Sequence, residues 1–178
     1  MKKYLIVVDM QKDFVNGALG TKEAEAIVPA VVEKVNCFDG EVIFTKDTHF
    51  ENYLSSSEGK QLPVEHCIKG TEGWQLIEAL ECYCKKNSCK VYEKLTFGSV
   101  ELAQDMLKIQ ETEGIDSVEV VGLCTDICVV SNALMLKAFL PEIAIMVDSS
   151  CCAGVTPQKH DAALETMRSC QICVEYSV

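Results

Sequence analysis

The chain has 178 residues, 48% of them apolar, with 16 Lys plus Arg set against 27 Asp plus Glu for a formal charge of −11. That length and apolar content suit one domain, residues 1–178, around a single core, and the acidic balance makes nucleic acid and anionic membrane surfaces poor partners. The apolar run 5–8 is too short for a signal peptide or membrane span, and eleven cysteines, an odd number, read as reduced thiols of a cytoplasmic protein rather than a disulfide framework.

In chain order, residues 4–8 predict a first strand, apolar on both faces, that stops at Asp9. A helical period follows over 22–36, then a strand over 41–45 that leads into Asp47 and His49. Residues 72–84 read as a helix, 90–92 as a short strand before Lys94, and 100–110 as a helix. Residues 118–122 predict another strand, ending in Gly122-Leu123-Cys124-Thr125-Asp126-Ile127-Cys128-Val129, and a helix is expected over 126–140. A strand over 143–147, a helix over 157–168 opened by Thr156-Pro157, and a strand over 172–176 complete the chain.

This alternation predicts a three-layer, Rossmann-like α/β domain with a mainly parallel central sheet. Open sheets of that kind hold ligands beyond the carboxyl ends of their strands. Asp9, Asp47, Lys94 and the segment after Gly122 all fall at such ends, so residues distant in sequence converge on one rim.

Taken singly, each is ambiguous. A lone Asp at a strand end caps loops as readily as it catalyses, and most lysines solvate a surface. Cys128 sits where Thr125 or Asp126 can cap a helix, and a thiol in that first turn has its thiolate favoured by the helix N-terminus. Lys94 facing it would lower the thiol pKa further and hold an adjacent carboxylate. Two of the three histidines, His49 and His66, lie in one loop, with Asp47 two residues before the first. Imidazole with carboxylate suits zinc, manganese or iron.

Asp9-Met10-Gln11-Lys12-Asp13-Phe14, Lys94 before Phe97-Gly98, the run from Gly122 to Val129, Asp148-Ser149-Ser150, Thr156-Pro157 and the stretch from His160 to Met167 together resemble the isochorismatase-like cysteine hydrolases over nearly the whole chain. The resemblance implies that Asp9, Lys94 and Cys128 are a catalytic triad and that Leu123-Cys124 is joined by a cis peptide. The backbone N–H groups of Cys124 and Cys128 would then form an oxyanion hole, with Phe14 and Leu123 at the substrate. Asp47, His49 and His66, followed by Gly70-Thr71-Glu72-Gly73, are similar to the metal site of the nicotinamidases within that family, and Glu58 and Ser55 are alternatives for a fourth ligand. Its implied activity is metal-dependent conversion of nicotinamide to nicotinate and ammonia through a thioester, a step of NAD salvage, with one divalent ion and a homo-oligomeric assembly. The aromatic wall that such enzymes place before the second histidine is replaced here by Leu62-Pro63-Val64.

Two other readings compete. One keeps the triad and changes the substrate to another small amide, carbamoyl or ureido compound, which the metal loop disfavours. The other is a non-catalytic binding protein, which the complete triad disfavours. The remaining features take plainer readings: His160 as a packed or capping residue, Trp74 as core beneath the metal loop, and Cys82, Cys84, Cys89, Cys170 and Cys173 as spacings that make no zinc ribbon. Cys151-Cys152 adjoin the rim, where a thiol is open to oxidation.

Overall fold

A computed structural model describes residues 1–176. Six strands, β1 (Lys2–Val8), β2 (Glu41–Asp47), β3 (Lys90–Lys94), β4 (Ile115–Leu123), β5 (Ala144–Ala153) and β6 (Cys173–Glu175), form one sheet in the order β3-β2-β1-β4-β5-β6. Every neighbouring pair is parallel. Leu5, Ile6, Val7 and Val8 of β1 have no exposed surface, as expected for a strand covered on both faces. The covering helices are α1 (Lys12–Val15), α2 (Lys22–Cys37), α3 (Ser57–Gln61), α4 (Glu78–Asn87), α5 (Val100–Thr112), α6 (Val130–Phe139) and α7 (Pro157–Ser169). Helix α2 touches α4, whereas α5, α6 and α7 pack against one another in turn. None of the helices among the described residues is long and apolar enough to cross a membrane.

Strand order reverses between β1 and β4, so the crevice where ligands of such sheets bind opens at Val8 and Gly122, which lie side by side. Gly122 has φ +116°, and a Cβ there would stand 2.1 Å from the Val8 carbonyl oxygen, so glycine is what lets the two strand ends close up. Four helices carry the side-chain caps their sequences offer: Thr21, Ser56, Ser99 and Thr156 accept from Ala24, Gly59, Leu102 and Lys159 N–H groups.

Outside the segment that carries Cys128, two expected elements differ most. The helix expected over 72–84 begins at Glu78, because the preceding backbone is used elsewhere: the carbonyls of Gly73 and Gln75 accept from Asp13 and Lys12 N–H groups, and Leu76 bridges Gln11. The strand expected over 143–147 runs on to Ala153 after a register shift opposite β4. The polar run Asp148-Ser149-Ser150 lies beyond the expected apolar stretch, but a lysine from α2 meets the Asp148 carboxylate and lets the strand carry it inside.

Candidate active site

β1 ends by setting Asp9 in the left-handed region, φ +48°, which is sparsely populated for a residue with a side chain. Its N–H points to the Thr45 hydroxyl at 3.2 Å, and that hydroxyl donates to Asp9 Oδ1 at 2.6 Å. The other carboxylate oxygen lies 2.6 Å from Lys94 Nζ at the end of β3. Lys94 Nζ is also 3.2 Å from Asp47 Oδ1 and 3.4 Å from Cys128 Sγ. All five residues are buried. Burial would lower the Lys94 ammonium, but Asp9, Cys128 and Asp47 hold it above its ordinary value.

The segment carrying Cys128 departs from the expected capped helix. Leu123 and Cys124 are joined by a cis peptide, and Thr125–Val129 forms a π-helical turn ahead of α6. The Cys124 carbonyl accepts from Ile127 and Val129 N–H groups, and the turn has no side-chain N-cap. Thr125 and Asp126 point elsewhere, to His160 Nδ1 at 2.8 Å and to the Val155 N–H at 2.9 Å. The expected depression of the thiol pKa is also absent: burial pushes Cys128 well above its ordinary value, Asp9 adds to this, and Lys94 opposes it. Burial raises Asp9 as well, against the pull of Lys94. Burial thus raises the proton affinity of both the thiol and the carboxylate, with Lys94 opposing it at each.

β2 delivers Asp47, whose backbone is gripped by Gln11: the Asp47 N–H donates to Oε1 at 2.7 Å and Nε2 donates to the Asp47 carbonyl at 2.8 Å. Asp47 Oδ2 faces His49 Nε2 at 3.0 Å and His66 Nε2 at 3.7 Å, and Glu58 Oε1 lies 3.7 and 3.8 Å from the same two nitrogens. One ligand atom from each of these four residues lies within 4.8 Å of all the others. His66 Nδ1 is tied to the Val64 carbonyl at 2.8 Å, which turns Nε2 inward, and His49 Nε2 is buried without a hydrogen-bond partner. An unsatisfied imidazole nitrogen converging with a second one and two carboxylates is the donor set of a divalent cation, so the residues fit one. Burial would raise the Asp47 carboxyl, but His49 and Lys94 beside it hold it below the usual carboxylate range. Ser55, the other expected candidate, is exposed and donates to the Asn52 carbonyl.

Both groups open on one cavity of about 660 Å³, lined by Phe14, Asp47, Glu58, His66, Cys124 and Cys128 and, on its apolar side, by Leu62, Leu95 and Phe97. Phe14 packs 5.5 Å from the His66 ring. Leu123, expected at the substrate, is instead wholly buried in the core and is not part of this wall. Phe97 supplies an aromatic surface that sequence reasoning did not assign, although it stood in the Phe97-Gly98 motif. Thr45 and Gln11 were also missed. The available signals were a hydroxyl inside an apolar strand and a glutamine two residues beyond Asp9. Trp74 is only part-buried; its indole N–H donates to Thr48 and its ring lies under Lys46 Nζ at 4.3 Å.

With that geometry in view, the chain was compared with known proteins. An isochorismatase family protein of Bacillus subtilis is 33% identical, covering 92% of this chain and 93% of its own. The nicotinamidase/pyrazinamidase of Mycobacterium tuberculosis is 29% identical over 94% of this chain and 95% of its own. Among solved structures, a nicotinamidase/pyrazinamidase of Bacillus subtilis superposes with a TM-score of 0.81 at 29% identity, over 98% of this chain and 99% of that one. The pyrazinamidase of Pyrococcus horikoshii in complex with zinc does so with 0.80 at 27%, over 99% and 100%. The Isochorismatase domain model matches residues 3–176, and the chain belongs to the isochorismatase family.

Proposed function

We propose that this protein is a cysteine amidohydrolase that converts nicotinamide to nicotinate and ammonia, with Asp9, Lys94 and Cys128 as its catalytic residues. The observation that carries this reading is that one cavity is lined both by Cys128, next to the buried pair of Lys94 and Asp9, and by Asp47, Glu58 and His66 of the four-residue donor set. An amide with a ring nitrogen a few ångströms from its carbonyl carbon can meet both at once. The nicotinamidase names of the relatives support the same substrate.

Asp9 takes the S–H proton of Cys128 as the sulfur adds to the carboxamide carbon, and the C=O electron pair moves onto oxygen. The oxyanion rests on the backbone N–H groups of Cys124 and Cys128. Asp9 returns the proton to the leaving nitrogen, the C–N bond breaks, and ammonia departs from a thioester. Water then gives its proton to Asp9 and adds to the same carbon; collapse expels the sulfur, which recovers the proton from Asp9. Lys94 stays charged throughout and stabilises whichever neighbour is anionic. A divalent ion, zinc before manganese or iron by its imidazole and carboxylate donors, would supply a Lewis acid that orients a ring nitrogen. Phe14 and Phe97 offer aromatic surface to the ring where Leu62 stands in place of a further aromatic wall. Glu58, not Ser55, is the fourth ligand on this reading. The reaction supplies nicotinate for NAD salvage.

The test is ammonia release by the metal-loaded protein. Nicotinamide and pyrazinamide, which keeps a nitrogen at the same ring position, are both expected as substrates. Release from a carbamoyl or ureido compound with neither ring amide turned over would replace this reading by the other hydrolase one.

A further inference from the structure

The π turn that carries Cys128 is held from two sides. Its own helix holds one: Asn132 Nδ2 donates to the Cys128 carbonyl at 2.8 Å and Ser131 Oγ to the Ile127 carbonyl at 2.6 Å. A separate element, the join of β5 and α7, holds the other. There His160 Nδ1 shares a hydrogen bond of 2.8 Å with the hydroxyl of fully buried Thr125, and the Val155 N–H donates to Asp126 Oδ1. Gly154 lies between these contacts, where a Cβ would come within 2.8 Å of the His160 backbone nitrogen and 2.9 Å of Asp126 Oδ1, so the two segments are in direct contact.

Thr125 and Asp126 are the side chains that would ordinarily cap a helix starting here, and both are diverted to this join. The residues on either side of them contribute the two N–H groups assigned to the oxyanion. We propose that His160 is a positioning residue: through Thr125 it fixes the orientation of the Cys124 to Cys128 turn, and so the aim of the oxyanion donors, without touching the substrate. The inference rests on the amidohydrolase reading for its kinetic consequence but not for its geometry. Burial holds the His160 ring below its ordinary pKa, against Asp161 on its own helix and Asp126 on the turn, so the ring is neutral when it bonds Thr125.

A donor that is mis-aimed matters more to the developing oxyanion than to the bound amide, so the effect belongs in kcat. His160→Ala is expected to lower kcat for nicotinamide by about tenfold to a hundredfold, the range of a displacement approaching 1 Å, with KM within about twofold. Asn places an amide atom where Nδ1 stands, and Gln places it one bond farther out, at the position of Nε2. His160→Asn should therefore recover most of the rate and His160→Gln should not, although both keep a polar side chain and guard against a variant that fails to fold. Thr125→Val should match His160→Ala, and the double variant should be no worse than either single one. Equal rates in the Asn and Gln variants, additive losses, or an unchanged kcat would overturn the proposal. A wild-type protein inactive on nicotinamide would strike the functional reading instead. The clamp would then be decided by mass-spectrometric labelling of Cys128 with iodoacetamide, where a several-fold difference between wild type and His160→Gln is expected and equal rates would reject it.

Discussion

Two clusters in this molecule each join a lysine, two carboxylates and a thiol, in different surroundings. At the strand ends, Lys94 lies between Asp9 and Asp47 with the Cys128 thiol beside them. Under α2, Lys34 lies between Glu119 of β4 and Asp148 of β5, and the Asp148 carboxylate adds to the rise of the Cys151 thiol. The first is buried throughout, whereas in the second Asp148 and Cys151 are buried and Lys34 and Glu119 are half-buried; in both, burial pushes the thiol up, to about 12 for Cys151. Only the first meets the large cavity: Cys128 lines it, whereas Cys151 lines none of the cavities described. A Lys-Asp-Cys grouping with shifted proton affinities is thus no sign of an active site until there is room for a substrate carbon beside the sulfur. The second cluster serves the fold, neutralising the carboxylate that lets β5 continue past Val147.

The sharpest way to break that contrast is to remove each thiol. Cys128→Ala should abolish amide hydrolysis, by roughly 10⁴-fold or more as for other nucleophile deletions, with the melting temperature nearly unchanged. Cys151→Ala should leave turnover intact. Ammonia assays beside thermal melts decide it, and a Cys151 variant that loses activity while staying folded would dissolve the distinction.

Exchanging each lysine should divide function from stability. Lys94→Met should stop turnover by removing the charge that stabilises the thiolate and oxyanion stages. Lys34→Met leaves two largely buried carboxylates facing each other, a defect of about 3–5 kcal/mol in urea unfolding, while kcat of the folded fraction persists. A smaller effect is expected from chelation. Stripping the divalent ion, or replacing His49 or His66 by Ala, should depress turnover far more than folding, because the four donors come from a loop and a strand end outside the core. Elemental analysis of an active preparation should find one divalent ion per chain; none at all would remove the metal assignment.

How much of this was legible in the sequence follows the same division. Strand cores such as Leu5 to Val8 were readable because burial on both faces demands an unbroken apolar run, and strand ends followed from where those runs stop. Thus Asp9, Lys94 and Cys128 could be brought together before any coordinate. What could not be read were tertiary uses of backbone and polar groups: Gly73 and Gln75 turned into acceptors for α1, Asp148 was carried inside by a lysine from α2, and Thr125 was diverted to His160. The direction of the Cys128 shift was missed for a related reason. Helix-terminus and lysine effects are visible in a motif, whereas the burial that outweighs them is a property of the assembled site.

The smallest predicted effect tests whether the second cluster is held by charge. Burial would lower Lys34, but hydrogen bonds from its ammonium to Asp148 and Glu119 raise it from 10.5 to about 12. A group whose pKa is raised on folding stabilises fully below its unfolded value and loses that contribution as the pH climbs through its folded value. The support from Lys34 should therefore be complete below about 10.5 and fade towards about 12. Other lysines, tyrosines and thiols titrate in the same window, so the quantity to follow is the difference in melting temperature between wild type and Lys34→Met, in which their contributions largely cancel. That difference should be constant from neutral pH to about 10 and should narrow steadily above it. A difference that does not change across the window would mean that Lys34 contributes by packing its aliphatic stem against α2 and the sheet, and the likeness of the two clusters would then end at their composition.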